Sequence, residues 1–258
     1  METTNLRHEN VSTIKYKYKN THALLINSLI WSGLGFVIVG LLSIGYSYLL
    51  KNQFNNVLGS QGYLVGSGIA LIVFLIITVV INIKWSMNVI NSSWSLVIGA
   101  WAINVLMLTG MVAPYVTLIN DPQLVFIAIA ASGGIFLIMG LIGYGLMNVK
   151  TAFMISKLIW IILGVMFLLQ FIFMMTFAFT YSNSFSHYYL LFDMAYLLIN
   201  VLMVGLTFFT IKNQSDVYQE LDGKQKIKLG LYFGMKLLIL FVIMFTYLLR
   251  FIANFRNS

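Results

Sequence analysis

The sequence predicts an all-α polytopic membrane protein, a bundle of seven transmembrane helices, and three observations carry that prediction. Seven apolar stretches run approximately over 22–50, 63–84, 92–119, 123–147, 153–180, 187–211 and 229–252, and a bilayer-crossing helix needs about 20 mainly apolar residues. Hydrophobic residues make up 60% of the 258 and charged residues 9%, with a mean hydropathy of +0.92; a water-soluble domain of this composition would aggregate. The third observation is the placement of the basic residues. With the N-terminus inside, the cytoplasmic segments hold Arg7, Lys15, Lys17, Lys19, Lys84, Lys150, Lys157, Lys212, Lys224, Lys226 and Lys228, whereas the outer side holds Lys51, Arg250 and Arg256. This positive-inside bias predicts a cytoplasmic N-terminus and an outer C-terminus. Helices are the expected spans because irregular backbone in lipid would strand its amides.

The elements follow in order. Residues 1–21 read as a basic cytoplasmic tail, too polar for a cleavable signal peptide. Its run from Ile14 to Lys19 alternates cations with tyrosines, a pattern suited to anionic headgroups. Residues 22–252 form the transmembrane domain. Its first helix is expected to end at Lys51, before a polar turn from Asn52 to Gln61. Asn120-Asp121-Pro122 makes an outer turn, since Pro ends one helix and suits the start of the next. Tyr181 to Ser186 forms a second outer loop. Asn213 to Lys228 is expected as the longest cytoplasmic loop, and 253–258 as a C-terminal tail.

A faint repeat appears when residues 67–94 are set against 133–160, matching Gly68 with Gly134, Asn82 with Asn148, Lys84 with Lys150 and Trp94 with Trp160. It predicts three helical hairpins after a solitary first helix. Small residues let membrane helices approach closely. Gly62 and Gly66, and Gly230 and Gly234, are therefore expected at helix contacts, and Gly133, Gly134, Gly140, Gly143 and Gly145 are expected to thin the fourth helix for packing, tightest at Gly140 and Gly143, while Pro114 after Gly110 is a candidate kink.

Several of these stretches resemble the Bax inhibitor-1 family of seven-helix membrane proteins. Gly143-Tyr144, a short basic loop and Leu163-Gly164 resemble the family's fourth and fifth spans. Gly110 to Tyr115 is similar to its third-helix region, Gly205-Leu206-Thr207 to a sixth-helix motif, and Tyr247-Leu248-Leu249-Arg250 to the ending of the last helix. The resemblance implies a bundle with its last helix near the centre and a pH-sensitive calcium leak governed by paired aspartates. Here the pair is missing. Thr210 stands where the sixth-helix Asp is expected, and the seventh helix offers Gly234 or Leu240. Calcium prefers six to eight oxygen ligands with carboxylates among them.

Independent signs of chemistry are few. The absence of cysteine excludes disulfides, thiolate nucleophiles and Cys-ligated metal. His8, His22 and His187 lie far apart in sequence, and no HExxH, P-loop or GxSxG is present, so the chain is not expected to be an enzyme or to hold a cofactor or metal. Its basic charge reports topology, not nucleic-acid binding. Asp193 is the one acid within an apolar span and Lys236 the one cation deep in another. At helical rise, Asp193 lies about 9 Å from the outer end of its span and Lys236 about 12 Å from the inner end of its own, within a core of about 30 Å. A lysine stem and a water bridge that separation, or each side chain snorkels to its nearer interface.

Three functions are compatible with these residues. The first is ion leak, of protons, monovalent cations or weakly of calcium, or membrane homeostasis, with Asp193, Lys236 and Thr210 on the ion pathway. The second is a regulatory or scaffolding partner of a membrane complex such as a quality-control protease, engaged through the 213–228 loop. The third is a small-solute transporter component whose cavity Asn82, Asn104, Asn148, Gln170 and Asn200 would line. A residue bias toward Lys, Ile, Asn, Phe and Tyr points to a bacterial plasma membrane.

Overall fold

The computed structural model describes residues 22–57, 76–119, 121–179 and 186–256. Among the described residues the regular structure is helical throughout: α1 (Ala23–Val57), α2 (Ile76–Met87), α3 (Trp94–Ile119), α4 (Pro122–Leu141) running into a π turn (Ile142–Leu146), α5 (Val149–Phe179), α6 (Ser186–Glu220) and α7 (Gly223–Arg256). Six of these helices are long and apolar enough to cross a membrane, and α2 is a shorter apolar helix. The chain is a multi-pass membrane protein. The N-terminal tail, the Gly62 and Gly66 pair, most of the second expected span and the outer loop after α5 lie outside the described residues.

Helix boundaries follow local capping. Asp121 adopts an extended conformation and its Oδ1 accepts the Gln123 and Leu124 amides at 2.9 and 3.4 Å, with Pro122 at the first helical position. Asn148 Oδ1 accepts the Thr151 amide at 2.8 Å and so opens α5. The expected loop from Asn213 to Lys228 is instead almost wholly helical. α6 continues to Glu220 and α7 begins at Gly223, because Asp222 and Gln225 form a reciprocal capping box: Gln225 N donates to Asp222 Oδ1 at 2.7 Å and Asp222 N donates to Gln225 Oε1 at 3.2 Å. Sequence polarity marked these residues as outside lipid, and polarity does not decide between loop and solvated helix. α1 likewise passes Lys51 and the start of the expected turn, and α3 runs as one helix through Pro114.

The matched ends of the repeat do different work. Trp94 opens α3, whereas Trp160 lies in the middle of α5; Asn82 bonds a neighbouring helix, whereas Asn148 caps its own.

Two compact units divide the chain. Among the described residues the first comprises 22–57, 76–110 and 210–238. Its buried set includes Leu24, Val39, Trp85, Val97, Ala100, Ile211, Leu237 and Leu238. Within it α7 approaches α1 at two glycines: a Cβ at Gly230 would fall on the Asn27 side chain, and one at Gly234 would stand 2.6 Å from Trp31 Cβ and 2.8 Å from the Ser28 carbonyl oxygen. Asn82 of α2 and Asn104 of α3 exchange two amide hydrogen bonds, of 3.0 and 2.9 Å, and Asn104 also donates to Ala100 O at 2.7 Å.

Among the described residues the second unit comprises 111–119, 121–179, 186–209 and 239–256. Phe136 is buried edge-on against Phe208 and Phe241, with ring centroids 5.4 and 5.6 Å away. A Cβ at Gly140 would stand 2.9 Å from the Phe208 ring, and one at Gly143 would fall on the Gly205 carbonyl. Gly133, Gly134 and Gly145, expected to thin the same helix for packing, instead have open space at that position, because they fall on faces of the helix that meet no neighbour. The hydroxyls of Ser28, Thr109, Ser132, Thr207 and Thr246 are satisfied inside their own helices, each donating to the carbonyl four residues back. Of the six long helices α7 hides the largest share of its apolar window, 56% against 17–44%.

Candidate functional site

α6 and α7 place an acid and a base together inside the second unit. Asp193 lies two turns into α6 and Arg250 lies near the end of α7, and Arg250 Nη2 stands 3.2 Å from Asp193 Oδ2. The carboxylate side chain is 10% exposed and the guanidinium 34%. A charge within a span is costly, by about 2.5–3.5 kcal/mol on insertion scales, and is retained where it pairs or lines a functional path.

The pair belongs to a register. Tyr196, three residues after Asp193, stacks on Tyr247, three residues before Arg250, with ring centroids 5.9 Å apart and planes 11° from parallel. Spacing of three puts each acid or base on the same helical face as its tyrosine. Because α6 and α7 contribute these pairs in opposite sequence order, the two rungs fall on successive turns. Gln170 of α5 donates to the Tyr196 hydroxyl at 2.9 Å, and Asn200 donates to the Tyr196 carbonyl at 2.8 Å. Three helices thus converge on one polar and aromatic cluster within the second unit.

Asp193 takes Arg250 as its partner, not Lys236. Arg250 lies so close to the end of its span that in sequence its charge reads as an outer flank. The shared spacing of Asp193 with Tyr196 and of Tyr247 with Arg250 was the available signal. Lys236 and Thr210 belong to the first unit. The Lys236 ammonium lies 4.5 Å from the Tyr232 ring centroid and 5.9 Å from that of Phe233, and Thr210 is exposed on α6. The five amides expected along a cavity are engaged in the fold: Asn82 with Asn104, Asn148 with Thr151, and Gln170 and Asn200 with Tyr196. Among the described residues no three His, Asp or Glu side chains gather as a metal-ligand set.

Comparisons with protein families, with curated proteins and with solved structures return no match.

Proposed function

We propose that this membrane protein is a passive ion leak of a bacterial plasma membrane, in which the Asp193–Arg250 pair holds the conducting path closed. The observation that carries the reading is the pair itself, an acid and a base from two helices joined within an apolar bundle. Well-packed hydrophobic residues of similar volume are often as stabilising as a buried ion pair, so stability alone gives little reason to keep charge there. On this reading all seven apolar stretches of the sequence span, the N-terminus is cytoplasmic and the last turns of α7 lie at the outer face. The resemblance to the Bax inhibitor-1 family supports the same class of activity. The leak carries protons or monovalent cations and little calcium, since Asp193 is the one carboxylate in a span. Purified protein in liposomes, followed with proton, potassium and calcium indicators, tests it: Asp193→Asn raises monovalent or proton flux several-fold, and silence of native and variant protein for every ion sinks the proposal.

A second reading rests on the helical hairpin at the end of α6 and start of α7, where Asn213, Asp216, Val217, Glu220, Asp222 and Lys224 are exposed. This ordered surface suits a regulatory partner better than a loop does. Alanine at Asp216, Val217 and Glu220 together tests it, by loss of co-purifying membrane proteins with ion flux unchanged.

A further inference from the structure

From Leu229 to Ala253, α7 has one exposed residue, and it is Lys236. Helix rise puts its Cα about 10 Å beyond Leu229, where the apolar stretch begins. The side chain turns back. Its ammonium lies over Tyr232, one turn nearer the Gly223 end, at 4.5 Å from the ring centroid, so the charge reaches toward the membrane face that carries Lys224, Lys226 and Lys228. No carboxylate among the described residues pairs with it. The aromatic face returns about 0.5–2 kcal/mol, less than the intramembrane cost of the charge.

The surroundings are also rich in donors. Trp85 packs edge-on against Tyr232 at 5.4 Å, is 1% exposed, and its indole N–H has no acceptor among the described residues. Lys84, its neighbour in α2, is exposed. A cation and an indole on the same tyrosine, short of acceptors and set near one end of the spans, are complementary to an anion that arrives from the membrane itself.

We infer that Lys236 and Tyr232 form a binding site for the phosphate of an anionic lipid in the leaflet facing the lysine-rich helix ends. Carboxylates and free phosphate share the charge, but Lys236 is exposed within an apolar span, where a lipid phosphate is the anion at hand. The inference rests on the multi-pass placement and the orientation proposed above, not on conduction.

The test is native mass spectrometry of the full chain in detergent, titrated with phosphatidylglycerol or phosphatidylcholine. Loss of one cation near a membrane surface corresponds to about five-fold weaker binding. Lys236→Gln therefore retains phosphatidylglycerol about five-fold less well, Lys236→Arg retains it as the native chain does, and phosphatidylcholine is indifferent to both. Unchanged phosphatidylglycerol retention in Lys236→Gln overturns the inference, as does displacement of the lipid by millimolar inorganic phosphate. Asp193→Asn leaves lipid retention unaltered whatever it does to ion flux, which separates this site from the conduction proposal.

Discussion

Asp193 and Arg250 meet at 3.2 Å between α6 and α7, and the same antiparallel register stacks Tyr196 on Tyr247 one turn away. The two rungs reinforce each other. A tyrosine pair that fixes rotation of both helices also fixes where the carboxylate and guanidinium point.

That coupling is measurable. Removing either charge breaks the ion pair, so Asp193→Asn and Arg250→Gln should each lower stability in detergent by about 2 kcal/mol, below the range for a fully buried pair because Arg250 is a third exposed. The double variant should cost less than the two losses added. Strict additivity would show that the contact carries no interaction energy.

The fourth span provides an internal control. Gly143→Ala sets a methyl against the Gly205 backbone, which cannot rotate away, and should cost about 1–3 kcal/mol. Gly133→Ala meets open space and should gain about 0.5–1 kcal/mol from helix propensity. Thermal unfolding of both variants in one detergent checks the contrast, and an equal response would mean that Gly143 is not at a contact.

Asn82 and Asn104 tie α2 to α3 through two amide hydrogen bonds. Asn82→Leu should destabilise by about 0.6 kcal/mol, the average for such bonds in membranes, and by no more than about 1.7 kcal/mol. Asn104 keeps its bond to the Ala100 carbonyl, which bounds the loss. A larger drop in an unfolding titration would point to a role beyond this pair.

The capping box predicts a local effect. Asp222→Ala removes the acceptor of the Gln225 amide and should weaken the start of α7 by about 1 kcal/mol. Hydrogen exchange should speed at residues 224–226 while the interior of α7 stays protected.

Much of the helical content was legible in the sequence because it follows from apolar length. The ends of α4 and α5 were partly legible too, since Asp121-Pro122 and Asn148 carry their caps in the local sequence. What escaped depends on relations between helices. Arg250 reads as a flanking charge until the register of α6 against α7 brings it to Asp193, and residues 213–228 read as loop until Asp222 and Gln225 are seen to cap. Lys236 was conspicuous as a charge in a span, but its exposure on the most buried helix is a property of packing. The glycines show the same limit: Gly140 and Gly143 meet Phe208 and Gly205, whereas Gly133 and Gly134, in the same span, meet nothing.

The measurement that bears most directly on the proposed leak is proton and potassium flux from liposomes holding the charge-reversed pair. Asp193→Arg combined with Arg250→Asp restores opposite charges at the same two positions, so either single reversal should raise flux several-fold and the double reversal should return it to the native level. Flux that stays raised in the double variant, or that none of the three variants alters, would contradict the assignment of Asp193 and Arg250 as the closure.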